Sequence, residues 1–270
     1  VTVTPQSLPP FQTLLCSQPA PHLLLVQFNR PTAANALNTQ MGRDILQLFQ
    51  ALLLDPRDVR CLVLTGSGSK AFCAGGDLKE RNGMSDADWG RQHVLFEQAF
   101  YAVMACPVPA IAAVNGAAYG GGCELALACD FIYAAETARF ALTETSLGII
   151  PGGGGTQNLP RAVGTRRARE LIFTGRPFTA DEGLAWGLVN HVARPEELLA
   201  DALRTASAIA GNAPIAVRQA KRAIQVGSET DITTGLALEV EAYGRTVSTD
   251  DRREGVAAFN EKRPPHFLGK

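Results

Sequence analysis

The sequence predicts an α/β fold in which parallel strands are joined by helical crossovers, followed by a helical C-terminal stretch. Three observations predict it. The first third of the chain runs strand, loop, helix, strand, the order that parallel crossovers require. The strand candidates HLLLVQF (22–28), CLVLTG (61–66) and PAIAAVN (109–115) are apolar runs bounded by turn residues, as buried strands are. From about Thr165 onward strands all but disappear and helical patterns take over.

Taken in order, residues 1–21 hold Pro5, Pro9, Pro10, Pro19 and Pro21 and read as an irregular lead-in, with a short extended piece around Leu14. After the strand at 22–28, the loop NRPTAANALN leads to a helix over Thr39–Leu54 that turns Ile45, Leu46, Phe49, Leu52 and Leu53 toward a core. The strand at 61–66 ends in the breaker run GSGS, and AFCAGGDLKER (71–81) is a small-residue loop in which Gly75 and Gly76 let backbone N–H groups face a ligand. A helix from about Asp86 to Cys106 precedes the strand at 109–115. NGAAYGGGCELALACD (115–130) then opens a helix on Gly120, Gly121 and Gly122, whose free N–H groups can bind an anion. FIYAA reads as a further strand, and ALTETSLGIIPGGGGTQ (141–157) carries a tight loop at Gly152–Gly155. Helical patterns follow over 165–174, 180–186, 195–211, 214–226, 229–247 and 250–260. Those at 195–211 and 229–247 are apolar over more than one narrow face, which fits helices that cover the core or another subunit. The expected division is therefore a core over 1–195 and a helical module over 196–270.

Composition sets bounds on function. With 25 Lys and Arg against 26 Asp and Glu there is no basic field, so nucleic acid is not expected as a partner. No apolar run is long enough to span a bilayer and no secretory leader is visible, which points to the cytoplasm. The chain begins at Val1 rather than Met, so the mitochondrial matrix is the alternative if a transit peptide was removed. Cys16, Cys61, Cys73, Cys106, Cys123 and Cys129 lack paired short spacings and read as buried free thiols, not as disulfides or metal ligands.

Several chemistries fail on the motifs they need. His22, His93, His191 and His266 are scattered and none lies in a glycine loop, so a histidine base is not expected. No Gly-x-Ser-x-Gly elbow is present. The run Gly152–Gly155 is followed by Thr156 and Gln157 instead of the Lys-Ser/Thr of a P-loop, and the dinucleotide fingerprint is absent. What remains is a pair of glutamates, Glu124 and Glu144, each beside a glycine loop. Paired carboxylates can divide acid and base work when their surroundings separate their pKa values. Glu124 in the first turn of its helix is expected to favour the anion, and Glu144, followed by Leu147, Ile149 and Ile150, the protonated form.

From about residue 22 to the EKRPP segment the chain resembles the enoyl-CoA hydratase/isomerase, or crotonase, superfamily. FCAGGDLKE is similar to its first oxyanion loop, GGGCELALACD to its second loop with the first catalytic glutamate, and ETSLGIIPGGGGTQ to the segment of the second glutamate. The resemblance implies a spiral of β-β-α turns, a C-terminal helical trimerisation module, and an acyl-CoA thioester substrate bound by a homotrimer or dimer of trimers. It implies no separate cofactor, coenzyme A being part of the substrate. Residue by residue, it makes the N–H groups of Gly76 and Gly121 an oxyanion hole, Glu124 the base that activates water, and Glu144 the donor of the C2 proton. Ala34, Ala74, Asp77, Leu78, Lys79, Gly120 and Gly152 fall where the family binds substrate, with the Gly152 N–H helping to hold the water. Gly76 stands where many relatives have Ala, and Thr32 where some hydratases have Lys.

Two glutamates favour hydration over the one-glutamate chemistry usual in isomerases. Residues 141–160 and EKRPP look most like methylglutaconyl-CoA hydratases, so an acid-bearing branched acyl chain is the main alternative. A scaffold that keeps the fold without catalysis is disfavoured by the presence of both glutamates and both glycine loops.

Overall fold

A computed structural model describes residues 9–270; Pro5 lies outside the described residues. Strand β1 (Leu14–Ser17) runs antiparallel to β2 (Leu23–Phe28), with Leu14 opposite Phe28. Helix α1 (Thr39–Leu54) begins where the Asn38 side chain accepts the Met41 N–H. It buries Met41, Ile45, Leu48, Phe49 and Leu52, whereas Leu46 is half-buried and Leu53 is 48% exposed. Residues 46 and 53 lie seven apart at the edge of the buried stripe, so the inward set includes Leu48 in their place.

The chain continues through β3 (Cys61–Gly66), β4 (Ala71–Cys73), α2 (Leu78–Arg81) and α3 (Asp86–Met104). Next come β5 (Ala110–Val114), β6 (Ala117–Tyr119), α4 (Gly121–Ala128), β7 (Phe131–Ala135) and β8 (Arg139–Ala141). A 3-10 turn at Glu144–Leu147 leads to α5 (Gly155–Val163), α6 (Thr165–Thr174), β9 (Phe178–Thr179), α7 (Ala180–Ala185) and β10 (His191–Ala193). The C-terminal helices are α8 (Leu198–Ala210), α9 (Pro214–Gly227), α10 (Ile232–Val247) and α11 (Asp250–Glu261).

Two sheets organise these elements. The larger has the order β1-β2-β3-β5-β7-β10 and is parallel from β2 onward; the smaller has the order β4-β6-β8-β9. Each circuit of the chain lays one strand in each sheet, as β3 with β4, β5 with β6, and β7 with β8, and then advances by one position. That is a spiral of β-β-α turns. Every residue of β3 and β5 is buried, as a parallel strand covered on both faces must be. Aromatic pairs fill the interior: Phe28 and Phe72 meet edge to face at 5.1 Å, and Phe140 stacks with Phe178 at 5.4 Å.

Helix α8 packs on β3, β5 and β7 and buries Leu198, Ala202, Ala206 and Ala210, so it covers the large sheet although it follows residue 195. Helices α9–α11 bury little of their own surface. Lys221 of α9 ties them to the core, donating to Asp130 at 2.8 Å and to the Val108 carbonyl at 3.1 Å. All six cysteines are free. Burial pushes the thiols of Cys16, Cys61 and Cys73 up to about 12 and that of Cys106 up to about 11, and raises Cys123 and Cys129 further.

Candidate active site

The spiral brings the two loops that leave β4 and β6 into backbone contact. A Cβ on Gly122 would lie 1.9 Å from the Cys73 carbonyl oxygen, and one on Gly75 would lie 2.7 Å from that of Tyr119 and 3.5 Å from the Gly121 nitrogen. Within the triple glycine only Gly120 has positive φ, at 51°; Gly122 is bare because no side chain fits. Leu37 pairs with the first loop, donating to the Gly75 carbonyl at 2.8 Å and accepting from Asp77 N–H at 2.9 Å. This parallel bridge turns the Gly76 N–H away from Leu37. Gly121 is the first residue of α4, where an N–H has no partner in its own helix. Gly76 and Gly121 both line one cavity of about 590 Å³.

Both glutamates line the same cavity. Glu124 is 3% exposed and its Oε1 accepts the N–H groups of Gly153 at 2.7 Å and Gly155 at 2.8 Å. The helix terminus that steadies this carboxylate is therefore that of α5, which Gly155 begins, rather than that of its own α4. Burial raises the Glu124 pKa, with the two N–H bonds opposing it. Glu144 is 8% exposed; burial, and then the charge of Glu124, push its pKa up to about 7. Its Oε2 is buried without a hydrogen-bond partner, and a Cβ on Gly120 would lie 2.9 Å from its Oε1. Burial thus raises both members of the pair. The one that accepts two N–H bonds keeps the charge more readily, and the one whose Oε2 is buried without a donor keeps the proton.

Helix α3 supplies the facing wall. Trp89, His93, Phe96 and Phe100 follow one another at steps of four, three and four, and so share a helix face. The His93 ring stands against Gly152, where a Cβ would lie 2.3 Å from Cε1. No glycine loop of the sequence contains His93; tertiary packing places it beside one. Arg81 also lines the cavity without a motif to announce it, its guanidinium carbon 4.3 Å from the Trp89 ring centroid.

Of the residues singled out from the sequence, Ala74, Gly76, Leu78, Gly120, Gly121, Glu124, Glu144 and Gly152 are on the cavity wall, and Ala34, Asp77 and Lys79 are not. Ala34 has φ 50° and its carbonyl accepts the Ala74 N–H at 3.1 Å, so it shapes the loop behind the wall. The Asp77 carboxylate caps α2, accepting the N–H groups of Lys79 and Glu80, and pairs with Arg30 at 2.9 Å. Burial opposes these contacts but they hold its carboxyl below the usual range. Asp77 anchors the loop. Lys79 is exposed, next to the wall residue Leu78. Among the described residues no group of three or more His, Cys, Asp or Glu is arranged as metal ligands.

Comparison with known proteins agrees with this geometry. The chain is 43% identical over 248 residues to a crotonyl-CoA hydratase of Syntrophomonas wolfei, covering 92% of this chain and 95% of that protein. It is 42% identical over 252 residues to the mouse mitochondrial methylglutaconyl-CoA hydratase, covering 92% and 80% of the two chains. A crystal structure of an enoyl-CoA hydratase from Bacillus anthracis superposes with a TM-score of 0.94 at 44% identity, over 96% of this chain and 100% of that one. The sequence model of the enoyl-CoA hydratase/isomerase family matches residues 20–270, from β2 through the last helix. With the spiral, the two touching glycine loops and the matched length in agreement, the chain belongs to the enoyl-CoA hydratase/isomerase family.

Proposed function

We propose that this protein is a hydro-lyase that adds water across the C2–C3 double bond of a 2-enoyl-CoA thioester. The observation that carries this reading is the unequal pair of buried carboxylates on one cavity: Glu124 held by two backbone N–H groups, and Glu144 with its Oε2 unpartnered and its pKa raised to about 7. Ionised Glu124 takes a proton from a water that it orients, and the water oxygen bonds to C3 as the C2–C3 π electrons move toward the thioester. The resulting enolate oxygen is met by the N–H groups of Gly76 and Gly121, each such donor being worth on the order of a hundredfold in rate. Protonated Glu144 then gives its proton to C2. Gly152 N–H helps hold the water, and Lys79 at the rim meets the nucleotide part of coenzyme A. Coenzyme A enters as part of the substrate, and the chain's own groups do the chemistry.

The exposed apolar side chains of the C-terminal helices support assembly into a homotrimer or a dimer of trimers, with α9–α11 as the oligomerisation surface and α8 as the cover of the core. We place the protein in the cytoplasm, with the mitochondrial matrix as the alternative; both keep thiols reduced.

The test is hydration of crotonyl-CoA by Glu124→Gln and Glu144→Gln, followed by the loss of enoyl absorbance. Each is expected to bind acyl-CoA nearly as the parent does and to lose roughly a hundredfold to ten-thousandfold in kcat. The double variant is expected to fall far short of the product of the two losses, because both groups act on one event. If Glu144→Gln hydrates normally while Glu124→Gln is inactive, a one-glutamate isomerisation replaces this reading.

A further inference from the structure

Among the described residues two side-chain oxygens are buried without a hydrogen-bond partner. One is Glu144 Oε2 on the catalytic cavity. The other is Gln219 Oε1, from a residue on the wall of a second cavity that shares no residue with the first. This second cavity, of about 350 Å³, lies between α9 and the chain that leaves the end of α3. Cys106, Pro107 and Ile215 make one side of it apolar, and Arg218, Lys221 and Arg222 line it from α9. No aspartate or glutamate is on its wall.

The three cations follow one another at steps of three and one and so share one side of α9, where like charges repel. Their counter-charges are unequal. Lys221 is matched, pairing with Asp130 at 2.8 Å and donating to the Val108 carbonyl. Arg222 is only half matched: Glu241 Oε1 stands 3.5 Å from its Nη1, and the same oxygen accepts Arg245 at 2.6 Å. Arg218 forms no ion pair among the described residues; its Nε turns back to the Pro214 carbonyl at 3.1 Å, which leaves the Nη edge of the guanidinium open. An open guanidinium edge is shaped to receive a carboxylate, and a buried acceptor without a donor is costly until an O–H or N–H reaches it. The apolar side favours an organic anion over an inorganic one, and the volume is at the small end of ligand pockets. We propose that this cavity is a binding site for a small hydroxycarboxylate, with Arg218 holding the carboxylate and Gln219 Oε1 accepting from the hydroxyl. Because the two cavities share no residue, its occupancy is measurable whatever reaction the catalytic cavity performs.

The test is calorimetric titration of the assembled protein with 3-hydroxybutyrate, butyrate and inorganic phosphate. 3-Hydroxybutyrate is expected to bind about fivefold more tightly than butyrate, as one hydrogen bond to a buried acceptor warrants, and phosphate more weakly than either. Arg218→Met keeps the apolar stem and is expected to weaken both carboxylates at least about tenfold while leaving crotonyl-CoA turnover unchanged. Gln219→Leu is expected to bring 3-hydroxybutyrate down to the affinity of butyrate. Should Arg218→Met fail to fold, Arg218→Lys keeps the charge without the planar fork and is expected to weaken both carboxylates about threefold. Absence of binding at millimolar concentration overturns the proposal, as does binding that the Arg218 variants leave unchanged, which would place the ligand elsewhere. Phosphate binding as tight as that of 3-hydroxybutyrate overturns it too, since the site would then hold any anion. Sedimentation supplies the last check: if Arg218→Met splits the assembly, the guanidinium meets a carboxylate of a second copy, and the ligand site is wrong.

Discussion

Glu144 holds its carboxyl where burial and the neighbouring Glu124 both oppose ionisation, and this has a sign that can be worked out. Its pKa is raised from 4.5 to about 7, so between those values the folded chain binds more protons than the unfolded one. Stability therefore falls as pH rises through that window, and the full cost, ~3 kcal/mol, is present above about pH 7. Glu144→Gln removes the ionisation. It is expected to be more stable than the parent at pH 8 by up to that amount, with the difference vanishing toward pH 4.5. Urea unfolding at the two pH values checks this, and a gain that does not change with pH would refute it. On the proposed mechanism the same titration is expected to lower the kcat of hydration above about pH 7, as Glu144 loses the proton it would give to C2. On the proposed mechanism, a carboxylate that destabilises its own fold when charged is the residue-scale cost of the chemistry.

At the scale of elements, the loop between β4 and α2 separates two glycines that look alike in sequence. Gly75 has φ 92° and lies against the Tyr119 carbonyl, so a methyl there strains the backbone and pushes apart the two loops. Gly76 has no positive φ, and a methyl on it would meet only the far end of Arg81 at 3.4 Å. Gly75→Ala is expected to lose about 1–3 kcal/mol of stability and at least about tenfold in kcat/KM. Gly76→Ala should keep both, since its N–H is unchanged. Thermal melts and crotonyl-CoA kinetics on the two variants decide it, and equal damage by both would remove the distinction. The contrast also marks what was legible in the sequence. Glu124 and Glu144 stood out because carboxylates beside glycine runs break an apolar pattern, and α1 and α3 were readable from their periodicity. Strands β4, β6 and β8, three residues each, are too short to show a period. His93 and Arg81 became wall residues only when α3 docked across the loops. The carboxylate of Asp77, placed with the substrate by its motif, was claimed by Arg30, a partner 47 positions away that local pattern does not reveal.

For the whole molecule, the last three helices leave more apolar surface than one protomer covers. Ile232 is 76% exposed, Val240 71%, Tyr243 70% and Phe259 84%. These side chains lie on α10 and α11, away from the large sheet, and contiguous apolar surface of this kind is what subunit contacts bury. Sedimentation is expected to give a species of three or six times the 28.7 kDa chain mass. A stable monomer at micromolar concentration would contradict the proposed trimer. The thiols carry a different consequence. Alkylating reagents attack the thiolate, and every cysteine here is held as the uncharged S–H by its surroundings. Cys61, Cys73, Cys106 and Cys123 are also buried, so at these a reagent must wait for the chain around the sulfur to open. Four native positions, from Cys61 in β3 to Cys123 in α4, thus form a built-in set of clocks, each timing the breathing of its own part of the spiral without a label being introduced.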